Sequence, residues 1–247
     1  MQNPAADSEL DPKNPAQTRS TTVITLENTS ADSACAAATT ADQFPPDPLL
    51  KYRAQHQHRL NYMPWLYWRL KPKNKVWAEA WQREYQDYLM QMEDIEIGEN
   101  CFISPLAHIF AEPGRKIRIG DHSFVAADCT LHGPLDIGSE VAINHHCILD
   151  GGRVGIKLHD QVRMAAYCHL YAFDHGMDLQ QPIYQQAVRS QGIEIGKDVW
   201  LGAHVGVKDG VKIAAQAVVG MNSMVTRDIA EAEIVAGNPA RFIRHRT

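Results

Sequence analysis

From Ile97 to Val225 an aliphatic side chain returns every sixth position. The series reads Ile97, Ile103, Ile109, then Ile119, Val125, Leu131, Ile137, Ile143, Leu149, then Leu158, Met164, Leu170, and finally Ile195, Leu201, Val207, Ile213, Val219, Val225. Six is neither the helix period of 3.6 nor simple strand alternation. It describes one short strand and one corner, repeated. The residue after the aliphatic is often glycine (Gly98, Gly120, Gly138, Gly196, Gly202, Gly220), which permits a sharp corner without a Cβ clash. The residue two places before it is small or β-branched and shares its face of an extended segment, as with Cys101, Ala107, Ser123, Cys147, Val199 and Ala217. A narrow interior taking one large and one small residue per unit is the mark of an all-β solenoid. The eighteen units predict six coils of three.

Two motifs add to the spacing. Ile195-Gly196-Lys197-Asp198-Val199-Trp200-Leu201-Gly202 resembles the Ile-Gly-x-x-Val-Trp-Ile-Gly signature of the hexapeptide-repeat acyltransferases. Gly237-Asn238-Pro239-Ala240-Arg241 resembles the ending of the branch that acetylates sugars and related small acceptors. The resemblance covers residues 95–245. It implies a left-handed parallel β-helix with a short C-terminal helix or tail, an acetyl-CoA donor, a hydroxyl acceptor on a sugar-like molecule, and a homotrimer with sites between subunits.

Composition sets bounds. The chain of 247 residues has room for one solenoid and an appendage, and its net charge of −5 with no long basic stripe argues against nucleic acid. No run of about eighteen apolar residues is present, so no membrane span is expected. No basic segment followed by an apolar stretch opens the chain, so a cytoplasmic location is expected. Cys101, Cys129, Cys147 and Cys168 fall on the small interior position and read as buried packing residues; without C-x-x-C spacing neither disulfides nor a metal is expected. Cys35 lies in the N-terminal tail.

Residues 1–47 are rich in Ala, Ser, Thr, Asp and Pro without periodicity and read as a disordered tail. Residues 48–93 predict two helices, around 48–68 and 74–91, split near Lys71-Pro72-Lys73-Asn74. Trp77, Trp81, Tyr85 and Tyr88 share one helical face. This segment reads as a cap on the open first coil, or as a wall of the acceptor site. Residues 94–247 form the repeat domain with its tail.

Three breaks interrupt the period. Four residues are added between Ile109 and Ile119, three between Leu149 and Leu158, and nineteen between Leu170 and Ile195. An insertion that long in a compact repeat marks function. It carries His175, and histidine suits a general base near neutral pH. The resemblance implies the same role, since the family's catalytic histidine opens a His-x-x-Asp-like stretch here matched by His175 and Asp178, although Gly176 replaces a common proline. Asp174, Asp178 or another acid would orient the imidazole.

The resemblance further implies that Asn144 and Asp150 bind acceptor hydroxyls; the loop after Asp150 differs in length from the family's, and an asparagine holding a solenoid corner is the plainer reading of Asn144. It implies that Trp200 flanks the pantetheine arm of acetyl-CoA and that the N–H of Ala203 faces the thioester oxygen. Met221 stands where the family has a small residue beside the donor. Thr226 and Arg227 match a Thr-Lys pair, and Arg241 and Arg244 match the basic tail that meets the CoA phosphates. Two other readings stay open. The histidines scattered through the coils admit a γ-class carbonic anhydrase-like metal site between subunits. A degenerate solenoid serving as a scaffold is the other.

Overall fold

The structure, a computed structural model, describes residues 48–247; the tail expected over residues 1–47 lies outside them. Helix α1 (Pro48–Tyr62) leads through a 3₁₀ turn (Pro64–Arg69) into α2 (Pro72–Met92). Pro64 and Pro72 each sit at a helix start, where a missing N–H costs nothing. The first helix is thus shorter than the sequence predicts. Pro64 cannot donate to the preceding turn.

The six coils follow as expected, eighteen short strands in three parallel sheets, each strand pairing with its equivalent one coil away. The first coil runs from Ile95–Ile97 through Phe102–Ile103 to His108–Phe110, and the sixth ends at Met224–Val225. Together with the family likeness, this is a left-handed parallel β-helix. In the first sheet the burial alternates in, out, in, as in Ile117-Arg118-Ile119 and Leu135-Asp136-Ile137. The interior is a single column of aliphatics from Ile95 to Val235. Burying each such side chain contributes about 1.5–3 kcal/mol, and each coil contacts only its neighbours.

Glycine works differently at the corners than local backbone freedom suggests. A Cβ on Gly138 would meet Asp160 Oδ1 at 2.5 Å, and one on Gly202 would meet the N of Met221 at 2.6 Å. Both keep an ordinary φ; they are there so that successive coils can approach. The left-handed backbone falls two residues later, on Glu140 (φ 57°) and His204 (φ 59°).

The outward residues of the first sheet alternate in sign up the stack: Glu96, Arg118, Asp136, Lys157, Glu194, Lys212, each beside the next. Arg118 lies 3.1 Å from Glu96 and Lys212 3.6 Å from Glu194. The helical segment covers the second sheet over its first three coils, where Tyr67, Leu60 and Ala78 pack with Phe102, Phe124 and Ala142. It also closes the first coil. Gln82 donates to Ile103 O (3.0 Å) and accepts from Ile103 N (2.7 Å), standing in for a missing strand. At the far end, Glu233–Ala236 adds to the second sheet and Arg241–His245 folds back antiparallel to it. The C-terminal tail is therefore a strand and not a helix; pairing with Glu233–Ala236 satisfies its backbone. No helix among the described residues is long and apolar enough to cross a membrane.

Candidate active site

All three breaks in the period fall on one corner, between the third sheet and the first. The nineteen-residue insertion leaves the third sheet at Tyr171 and forms a loop whose base is stitched shut. Asp174 and Arg189 exchange backbone hydrogen bonds (2.8 Å each way). Ser190 Oγ donates to Ala172 O and accepts from the N–H groups of Arg153 and Val154, tying the long loop to the shorter one before it. Within the loop, Gln186 accepts from Asp178 N and donates to Asp178 O and Gln181 O. A Cβ on Gly176 would meet the Gln186 side chain at 2.7 Å, so glycine beside His175 leaves room for this clamp.

His175 is exposed, and among the described residues its ring has no hydrogen-bond partner. Neither acid near it in sequence orients it within the chain. The Asp174 carboxylate pairs with Lys208 at 2.8 Å, and Asp178 meets Gln186 through its backbone. Asp150 lies on the same corner, in the third coil, and is paired with Tyr171 in the adjacent strand. Its carboxylate accepts from Gly152 N (3.0 Å) and lies 3.2 Å from His132 Nδ1; the other ring nitrogen of His132 lies 3.2 Å from Glu112.

The other expected site residues gather elsewhere. Asn144, Ala203 and Met221 occupy the corner between the second sheet and the third, in the third, fifth and sixth coils. Asn144 donates to Met164 O (2.7 Å), which supports the corner-holding reading, although the left-handed residue there is His146 and not Asn144. Trp200 opens the strand just before Ala203 and stands half exposed on the outer face of the second sheet. The N–H of Gly202 bonds to Val219 O and that of His204 to Ala166 O. Between them the Ala203 N–H has no partner among the described residues. Arg241 and Arg244 are exposed on the last strand, at the far edge of the second sheet. Thr226 and Arg227 follow the end of the third sheet and line a cavity of about 340 Å³.

The expected residues thus fall in two groups on opposite edges of the third sheet. One edge holds His175 and Asp150, the other Asn144, Ala203, Met221 and, just outside, Trp200. The strands between them are three residues or fewer, about 10 Å.

A column of rings on the Ala203 corner was not foreseen. His146 stacks on Tyr167, and Tyr167 on His204, both with centroids 4.7 Å apart. Tyr62 of α1 reaches this corner, donating to Asp128 (2.9 Å) and meeting His145 edge-on. Burial, with His146 beside it, pushes the His145 pKa below the usual histidine value. The recurrence of His or Tyr three places after an aliphatic (Ile143, Met164, Leu201) was the available signal. Among the described residues, no three His, Cys, Asp or Glu converge as a metal set.

Fold and motifs together define a hexapeptide-repeat protein, and the chain belongs to the hexapeptide-repeat acyltransferases. A family described as the hexapeptide repeat of succinyl-transferase matches residues 192–227. Chloramphenicol acetyltransferase of Klebsiella aerogenes is 30% identical over 145 residues, 53% of this chain and 68% of that protein. Galactoside O-acetyltransferase of Escherichia coli is 28% identical over 163 residues, 65% of this chain and 68% of that protein. AntD, an N-acyltransferase from Bacillus cereus solved with dTDP and 3-hydroxybutyryl-CoA, superposes with a TM-score of 0.58 at 30% identity, covering 66% of this chain and 88% of that one. Against three further curated relatives the chain spans only 44–60% of the relative's length.

Proposed function

We propose that the chain is an acetyl-CoA-dependent O-acetyltransferase acting on a sugar-like hydroxyl, as a homotrimer whose sites combine the two edges of neighbouring copies. The observation that carries this reading is the open N–H of Ala203 beside Trp200, on the edge opposite His175. The chemistry follows from the groups available. The acceptor oxygen attacks the thioester carbonyl carbon while His175 of one copy removes its proton. The Ala203 N–H of the next copy stabilises the tetrahedral oxyanion. Collapse breaks the C–S bond, the imidazolium returns the proton to sulfur, and an acetyl ester and free CoA leave. Trp200 packs along the pantetheine, while Arg241, Arg244, Thr226 and Arg227 meet the nucleotide end. Met221, bulkier than the residue usual in the family, narrows the space near the acyl group.

The O-acetyl reading follows the galactoside relative; the AntD likeness makes an amine the natural second acceptor. His175→Ala is expected to keep the oligomer and bound CoA while lowering kcat by about 10²–10⁴-fold with hydroxyl acceptors, read as free thiol released from acetyl-CoA. Near-wild-type turnover in that variant would remove His175 from the mechanism.

A further inference from the structure

From Pro48 to Ala78 the chain carries seven Lys and Arg and no Asp or Glu, although its net charge is −5. The structure folds this stretch around a cleft. Between the start of α1 and the start of α2 lies a concavity of about 800 Å³, with Arg53, Arg69, Lys71 and Lys73 on its walls. None of these four side chains makes an ion pair or a side-chain hydrogen bond among the described residues; the nearby Lys75 is paired, with Glu79. Arg53 rests on the face of Trp77 at 5.4 Å, and Asn74 lies 3.4 Å from His56 at the floor. Leu49, Leu50, Tyr52 and Leu70 complete the lining.

Four cations held around one concavity repel one another unless an anion enters, and a partly enclosed site weakens the screening that makes surface charges cheap. A flat anionic membrane would engage cations on a convex face; these line a hollow. Arginine forks and lysine points suit phosphate oxygens, and the apolar wall suits a base or other flat group attached to them. We propose that this cleft binds a diphosphate-bearing ligand of the nucleoside diphosphate class, at a site separate from the two edges of the third sheet.

The test is calorimetric titration of the full chain with UDP, uridine and inorganic pyrophosphate, and sedimentation with phosphatidylserine vesicles. UDP should bind, weakening as salt rises, and uridine should not. The double variant Lys71→Glu/Lys73→Glu, exposed on the helical segment, should lose at least about tenfold in UDP affinity with its circular dichroism unchanged. The variant Arg241→Ala/Arg244→Ala should bind UDP as the wild type does. The proposal is overturned if UDP does not bind or the Lys71→Glu/Lys73→Glu variant binds equally. Loss of binding in the arginine variant, or binding to vesicles alone, overturns it too.

Discussion

Cys129, Cys147 and Cys168 sit one above another in three successive coils, each thiol donating to a corner carbonyl of the next coil: Asn144 O, Ala165 O and Gly202 O. Cys101 does the same to Gly120 O on another corner, and burial pushes its thiol up to about 11. Little Cys101 thiolate is then present at neutral pH, and burial closes reagent access to all four thiols. In a Cys35→Ser background, Ellman's reagent is expected to find none of these four thiols in the folded protein and all four in denaturant. One fast-reacting thiol in native buffer would contradict the packing. This role was legible because the cysteines keep the six-residue rhythm. The clamp that Gln186 places around Gly176 was not. It joins residues whose spacing carries no period, so only the folded loop brings them together.

At the scale of elements, the cap on the first coil depends on one amide. Gln82 is buried and answers both backbone groups of Ile103. Gln82→Ala strips that pairing and leaves a buried N–H and C=O unmet, at about 1–3 kcal/mol for each group. Thermal melting should fall by several degrees. Gln82→Glu, which can accept from Ile103 N but not donate to Ile103 O unless protonated, should fall between. An unchanged melting temperature for the alanine variant would mean that Gln82 does not carry the cap. Sequence periodicity pointed to the second helix, where Trp77, Trp81, Tyr85 and Tyr88 repeat at helical spacing. It missed the break at Pro64 and the C-terminal strand. Arg241–His245 has no alternation of its own and takes its form from Glu233–Ala236 beside it.

On the scale of the whole molecule, the three faces of the prism differ. The first is charged, and the second is partly roofed by the helices. One outward row of the third reads His108, Thr130, Ile148, His169, Gly206, Met224 and carries no ion pair among the described residues, while the other holds Asp150 beside His132. That row lies between the two groups of candidate residues, and in the proposed trimer it is where neighbouring copies would meet. Light scattering should give the mass of a trimer, and Ile148→Arg should lower it and abolish acetyl transfer together. A fully active monomer would end the shared-site reading. The repeat made the fold legible down to coil number, since it reports contacts between adjacent coils. The site was legible only as two separate sets of residues, because a single chain holds no record of which edge faces which. The alternation of Glu96, Arg118, Asp136, Lys157, Glu194 and Lys212 has a further consequence of parity. Removing or duplicating one internal coil would set like charges side by side, Arg118 against Lys157 for example, where opposite charges now neighbour one another. Two internal coils at a time would leave the alternation intact, so coils can be inserted into or cut from the middle of this solenoid without electrostatic conflict only in even numbers.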